Sequence, residues 1–143
     1  EAFPELNIQE FSVPTILAER TFWEKVTILH QEHHRPEQLP GPLRYSRHYY
    51  DLYMMTKSDF QKKALASKDL LQAVVDFKKK FYPRGWAKYD LAVPGTVCLL
   101  PAEHSLKSLQ DDYKAMRTMI FGDYPSWDDI CFALQKLERE INQ

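Results

Sequence analysis

Residues 18–34, A-E-R-T-F-W-E-K-V-T-I-L-H-Q-E-H-H, carry a regular apolar periodicity. Four side chains occupy the i, i+4, i+7 and i+11 positions of one helix face: Phe22, Val26, Leu29 and His33. This spacing predicts a helix whose apolar stripe packs against a core. Several helix breakers then predict a loop: Pro36, Pro40, Gly41 and Pro42.

Helix signals recur along the rest of the chain, in segments of ordinary helix length. Helices are predicted over 44–56, 59–66, 67–81, 105–121 and 127–141. The exception is the segment 84–104, where a Pro-Gly turn and scattered polar residues indicate an irregular, partly buried loop. The sum predicts a mainly α domain of five to six helices.

The amino-terminal segment differs in pattern from the rest of the chain. Residues 6–16 alternate weakly between apolar and polar side chains, which predicts a short extended or strand segment that Pro14 ends. The chain starts at Glu1 rather than at methionine, so we expect a piece of a longer protein. Residues 1–16 are accordingly interpreted as the end of a missing amino-terminal lobe, and 17–143 as a helical domain.

Composition restricts the classes of protein to consider. The chain has 143 residues, of which 44% are hydrophobic and 27% charged, as in a folded globular domain. The formal net charge of −1 gives no overall field that would attract nucleic acid. No apolar run reaches the roughly 20 residues that span a bilayer, and no signal peptide is recognisable. Two cysteines in apolar surroundings favour free thiols in a reducing, cytoplasmic compartment.

Lys25 occupies an unusual position for a lysine. Most of its helix neighbours one turn away are apolar: Thr21, Phe22, Ile28 and Leu29. Two interpretations are open. The side chain could lie at the border of the apolar face with its ammonium in water, or it could hold the phosphates of a ligand as a point charge. Glu24, on an adjacent face, is compatible with a solvated carboxylate.

The segment R-H-Y-Y-D-L-Y at 47–53 places Asp51 one helical turn after Arg47. The pair could serve only as a helix-stabilising ion pair, worth a few tenths of a kcal/mol. Alternatively Asp51, supported by Arg47 or His48, could face the same cleft as Lys25 and orient a hydroxyl or a nucleotide.

A basic run with interleaved aromatics covers residues 78–89. Its cations are Lys78, Lys79, Lys80, Arg84 and Lys88. Such a pattern could present an RNA-facing patch on which bases stack, or it could be a solvated helix end beside core aromatics.

Histidines cluster at the end of the first predicted helix, where His30 and His34 stand at the i, i+4 spacing. That spacing can hold zinc, but the H-E-x-x-H pattern is missing and no cysteine pair accompanies it. We therefore interpret the histidines as structural and expect no metal site.

The motifs together resemble the carboxy-terminal half of bacterial nucleotidyltransferases of the AbiEii/AbiGii toxin family. Two segments are the most specific, V-P-T-I-L-A-E-R-T-F-W-E-K at 13–25 and R-Y-S-R-H-Y-Y-D-L at 44–52. Three further segments are similar to the family as well: D-Y-K-A-M at 112–116, M-I-F-G at 119–122 and P-S-W-D-D at 125–129.

The resemblance implies a two-lobed enzyme that transfers a nucleoside monophosphate from an NTP to an acceptor, in some members a tRNA. Its polymerase-β-like amino-terminal lobe would bind Mg²⁺ and the NTP. Its helical lobe would supply catalytic residues that match Lys25 and Asp51, with Thr21, Glu24, Arg47 and His48 in support. A cognate antitoxin is the implied partner.

A glycine-serine loop followed by an acidic pair, which the family's chemistry needs, is missing from these 143 residues. We therefore expect the fragment alone to be inactive and to hold neither Mg²⁺ nor NTP. Two alternatives stay open: a non-catalytic helical module that binds antitoxin or RNA, and a degenerate family member without activity.

Overall fold

The structure, a computed structural model, describes the backbone of residues 3–143 and the side chains of residues 18–143. Within this part of the chain there are six α-helices and no strand: α1 (Phe3–His33), α2 (Ser46–Thr56), α3 (Asp59–Leu65), α4 (Asp69–Phe81), α5 (Leu106–Ala115) and α6 (Trp127–Asn142). Three short 3-10 turns lie between α4 and α5, namely Gly85–Ala87, Tyr89–Leu91 and Glu103–Ser105, and a fourth, Arg117–Met119, lies between α5 and α6. The mainly helical class predicted from the sequence is confirmed.

Helix α1 is the central element of the packing. It contacts α2, α3 and α4, while α5 and α6 pack against α2. The stripe predicted to face the core does so, with Phe22, Val26 and Leu29 fully buried. Trp23 is buried beside them and donates a hydrogen bond from Nε1 to the carbonyl oxygen of Ala64 at 3.1 Å, which fixes α3 against α1.

The extended segment predicted over residues 1–16 is wrong where the structure describes it, because α1 already begins at Phe3. Residues 1–2 lie outside the described part. The alternation was short and has no partner strand among the described residues. An unpaired strand leaves its backbone N–H and C=O groups without partners, whereas a helix satisfies most of them internally. The domain boundary at residue 16 stays a prediction.

Two of the helix starts are capped by serine side chains. The side chain of Ser58 accepts from the backbone N–H of Phe60, and that of Ser126 from the N–H of Asp129. The side chain of Ser67 does not cap α4. The residue before α4 is Lys68, and hydrogen-bonded backbone turns connect it directly to the end of α3.

The fifth helix ends earlier than its periodicity predicted. Helix α5 stops at Ala115, where the N–H of Met116 bonds to the carbonyls of both Asp112 and Tyr113 and the chain tightens into a 3-10 turn. Gly122, with φ of +81°, lies in the loop beyond that turn rather than directly after the α-helix.

A buried polar network joins the end of α1 to the irregular segment after α4. The carboxylate of Glu32 accepts from Arg35 Nε at 2.8 Å and Nη2 at 2.9 Å, and from the side-chain amide of Gln31 at 3.0 Å. Gln31 in turn accepts from the hydroxyl of Tyr89 at 2.8 Å. The Arg35 guanidinium lies 4.7 Å from the centre of the Trp86 ring. The segment that the sequence predicted to be irregular is thus held in place by side chains at and just after the end of α1.

Candidate active site

Lys25 of α1 reaches across to α2 and contacts two side chains there. Its Nζ donates to Oδ2 of Asp51 at 3.0 Å and to Nδ1 of His48 at 2.9 Å. The Lys25 side chain is 18% exposed and that of Asp51 29%, so the pair is largely covered yet open to solvent on one side. The structure therefore brings together the lysine and the aspartate singled out from the sequence.

The local sequence of α2 explains why these groups meet. His48 and Asp51 are three residues apart and lie on one face of the helix. Tyr49 and Leu52, the residues directly after them, are fully buried in the core and fix the rotation of α2. That rotation turns His48 and Asp51 toward α1.

His48 is held as a neutral ring. A lysine ammonium has no lone pair, so Nδ1 of His48 must accept and the ring proton sits on Nε2. Desolvation by burial, and next the charge of Lys25, lower the pKa of His48 to about 4. At neutral pH the ring adds no charge and orients the ammonium.

Asp51 is bound more closely by Lys25 than by its own helix neighbour. Arg47 Nε lies 3.8 Å from Oδ2 of Asp51, and the Arg47 side chain is 62% exposed. An exposed pair at that distance contributes little to stability. Asp51 thus forms two ion pairs. The pair with Arg47, which the helix-stabilising interpretation describes, is weaker than the pair with Lys25.

The other two residues expected in support lie beside Lys25 on α1. Thr21 is half-buried one turn earlier. Glu24 pairs with Arg20 at 3.2 Å, so its carboxylate is engaged by a cation of its own helix.

Asp112 of α5 holds the start of α2, a contact that the sequence did not reveal. Its Oδ1 accepts from the backbone N–H of Arg44 at 2.8 Å, and its Oδ2 from the backbone N–H of Ser46 at 3.1 Å and from the Ser46 hydroxyl. Burial acts to raise the pKa of Asp112, but these hydrogen bonds outweigh it and hold the pKa below its usual value. Asp112 therefore caps α2 from another helix, which no local pattern encodes.

We expect Asp112→Ala to lower the free energy of unfolding by about 2 kcal/mol, because two backbone donors and a hydroxyl lose their acceptor. Urea denaturation of the purified chain measures this. The control is Asp111→Ala, since Asp111 is exposed and pairs with the exposed Lys107 at 3.4 Å. Equal stability of the two variants would show that Asp112 does not fix α2.

The five cations of the basic run at residues 78–88 have different surroundings in the structure. Lys78 is half-buried, and burial lowers its pKa. Lys79 pairs with Asp90. Lys80 lies over the Phe81 ring at 5.3 Å and Arg84 near the Trp86 ring at 5.8 Å, while Lys88 is exposed.

Aromatic side chains accompany these cations at the end of α4. Phe77, Phe81 and Tyr82 are each 41% exposed or more, and Phe77 and Phe81 lie 4.7 Å apart. We call these three residues the α4 aromatic cluster. It provides flat surfaces beside positive charge, as the RNA-facing interpretation requires.

His30 fits the structural interpretation given to the histidines. Its Nε2 donates to the carbonyl oxygen of Lys88 at 2.8 Å, and its Nδ1 accepts from the backbone N–H of Cys98 at 3.2 Å. Burial lowers its pKa to about 4, so the ring is neutral.

The geometry defines a helical domain in which a lysine of one helix contacts an aspartate and a neutral histidine of another. Residues 2–136 match the model of the family described as nucleotidyl transferase AbiEii toxin, type IV TA system. The chain belongs to this AbiEii family, in agreement with the resemblance of its motifs. No curated protein and no solved structure matches it.

None of the described helices combines the length and the apolar character needed to cross a bilayer.

A magnesium site of the kind used by nucleotidyltransferases does not fit the residues around Lys25. Both nearby carboxylates are already engaged by cations, Asp51 by Lys25 and Glu24 by Arg20. A Mg²⁺ ion beside these carboxylates would lie next to the cations of Lys25 and Arg20, whose positive charges repel it.

Proposed function

We propose that this chain is the carboxy-terminal helical lobe of a nucleotidyltransferase toxin, with Lys25 and Asp51 at the edge of its active site. The reaction is transfer of a nucleoside monophosphate from an NTP to an acceptor, for which a tRNA end is the candidate. Mg²⁺ and most NTP contacts belong to the amino-terminal lobe in this proposal. A cognate antitoxin is the expected partner, and the cytoplasm the expected location.

The observation that carries the proposal is the contact of Lys25 with both Asp51 and His48. An ammonium has three N–H donors, of which Asp51 and His48 take two. The third has no partner among the residues with described side chains and can donate to a phosphate oxygen, to which the exposed fraction of the Lys25 side chain gives access. Because His48 stays neutral, it positions the ammonium without repelling it.

Asp51 has a corresponding spare group. Its Oδ2 is bound by Lys25. Oδ1 has no hydrogen-bond donor among the residues with described side chains and can accept from a hydroxyl of the nucleotide or of the acceptor. Lys25 and Asp51 would thus hold phosphate and hydroxyl next to each other, which supports transfer by positioning and by charge stabilisation.

The test uses the complete toxin with Lys25→Ala and Asp51→Asn. We expect both variants to lose toxicity in cells and NTP-dependent labelling of RNA, while their far-UV circular dichroism is unchanged. Lys62→Ala, on the exposed side of α3, is the control and should remain toxic. Toxicity and labelling that persist in both site variants would refute the catalytic role.

The second candidate function is a non-catalytic module that binds RNA, favoured by the α4 aromatic cluster and the cations beside it. In that case the Lys25 and Asp51 variants would keep the activity, whereas Phe81→Ala would weaken RNA binding.

A further inference from the structure

Cys98 lies beside two histidines at the end of α1, although 64 positions separate it from the nearer one in the sequence. A ring nitrogen of His33, a ring nitrogen of His34 and Sγ of Cys98 all lie within 4.8 Å of one another. All three residues are half-buried. They are the one group of three or more potential ligands found among the residues with described side chains.

The hydrogen bonds of the two rings leave a lone pair for a metal on each. Nδ1 of His33 lies 2.7 Å from the carbonyl oxygen of Leu100, and Nδ1 of His34 lies 2.9 Å from that of His30. A carbonyl oxygen can only accept, so each Nδ1 carries the proton and each Nε2 is unprotonated in the neutral ring. Metal-binding histidines are commonly oriented in this way, by donating the other ring N–H to a carbonyl.

The backbone around the cysteine is fixed to the same helix end. The N–H of Cys98 donates to His30, and the carbonyl of Leu100 accepts from His33. The segment from Cys98 to Leu100 is therefore tied to α1 at both of its ends. Within the described part of the chain, the one hydrogen bond of the thiol is a 3.7 Å contact with the carbonyl oxygen of Thr96, which a metal could displace.

We propose that His33, His34 and Cys98 form a zinc site that fastens the segment 98–100 to the end of α1. Imidazole nitrogen and thiolate sulfur are both zinc ligands, and a water would complete the tetrahedron around the three side chains. Ligand atoms of such a site are about 3.3–3.7 Å apart, so closure from the present spacing needs shifts of about 1 Å. Binding converts the thiol to a zinc thiolate and releases its proton to solvent.

This proposal departs from the expectation of no metal site, which was based on the sequence alone. The sequence offered no recognisable pattern because two ligands are adjacent in sequence and the third is distant. Consecutive residues within a helix point in different directions. Because α1 ends at His33 and His34 already lies in a turn, the two rings can face the same point. The i, i+4 pair of His30 and His34 is not the ligand pair, since both ring nitrogens of His30 are engaged.

Cobalt titration of the reduced, metal-free chain tests the proposal. We expect one equivalent of Co²⁺ to produce thiolate-to-cobalt charge-transfer absorption, which Zn²⁺ then abolishes by displacement. Zinc in excess should raise the melting temperature by about 5–10 °C. No charge-transfer absorption in the unmodified chain would overturn the proposal.

Two variants and one control locate the site. Cys98→Ser should eliminate the absorption, and His34→Gln should weaken cobalt binding about tenfold or more. Cys131→Ser removes the other, half-buried thiol on α6 and should leave the absorption unchanged. Persistence of the absorption in Cys98→Ser, or its loss in Cys131→Ser, would contradict the assignment.

Discussion

Replacing Glu32 by alanine is expected to lower the free energy of unfolding by about 3–5 kcal/mol, the range for breaking a buried ion pair by removing one partner. The side chains of Glu32 and Arg35 are each only 8% exposed, and two hydrogen bonds join them. Removal of the carboxylate leaves a buried guanidinium and the Gln31 amide without their acceptor. The network that holds the segment after α4 would open.

Chemical denaturation measures this loss of stability. Two further variants test whether the unpaired buried charge is its cause. Glu37→Ala, at an exposed position in the loop after α1, should change stability by less than about 0.5 kcal/mol. The double variant Glu32→Met with Arg35→Met should be more stable than Glu32→Ala, because no charge then remains buried. A loss below about 1 kcal/mol for Glu32→Ala would mean that the pair is hydrated and contributes little.

The second large effect concerns activity and depends on the proposed function. Lys25→Met in the complete toxin should lower kcat/KM for nucleotide transfer about 100- to 1000-fold, as loss of a charge-stabilising donor does in other enzymes. Methionine keeps the length and apolar character of the stem. Folding stability should fall by about 1 kcal/mol or less, because Asp51 remains partly exposed and retains Arg47 nearby.

Steady-state kinetics with varied NTP separates the two ways in which Lys25 could act. A lower kcat at an unchanged KM indicates contact with the phosphates in the transition state, whereas a raised KM alone indicates ground-state binding. An unchanged kcat/KM would remove Lys25 from the mechanism.

The helices could be predicted because their signals are local. The stripe containing Phe22, Val26 and Leu29 is buried as its spacing predicted, and Ser58 and Ser126 cap the helices that they precede. The amino-terminal segment was misassigned because a short alternation has no meaning without a partner strand.

The sequence identified residues of the candidate site but not the contacts between them. The chemistry of Lys25 and Asp51 was visible in their unusual surroundings, but their direct contact depends on the packing of α1 against α2. Whether Arg47 or Lys25 is the main partner of Asp51 could not be decided from spacing, which shows only neighbours on the same helix.

Long-range polar contacts were invisible in the sequence. Asp112 resembles any acidic residue on an exposed helix face, yet it caps α2. Glu32 and Arg35 resemble a solvated helix end, yet they are buried by Trp86 and Tyr89 from a distant segment. Such contacts are set by tertiary structure, and no periodicity records them.

A double-variant cycle on nucleotide transfer tests the central claim most directly, namely that Lys25 and Asp51 act as one unit on the substrate. The complete toxin, Lys25→Met, Asp51→Asn and the double variant are compared in kcat/KM, with unfolding measured for each. We predict that the double variant is no more impaired than the worse single variant, since groups that act as a unit are not additive. Full transfer activity in the folded double variant, or losses that simply multiply, would contradict the account.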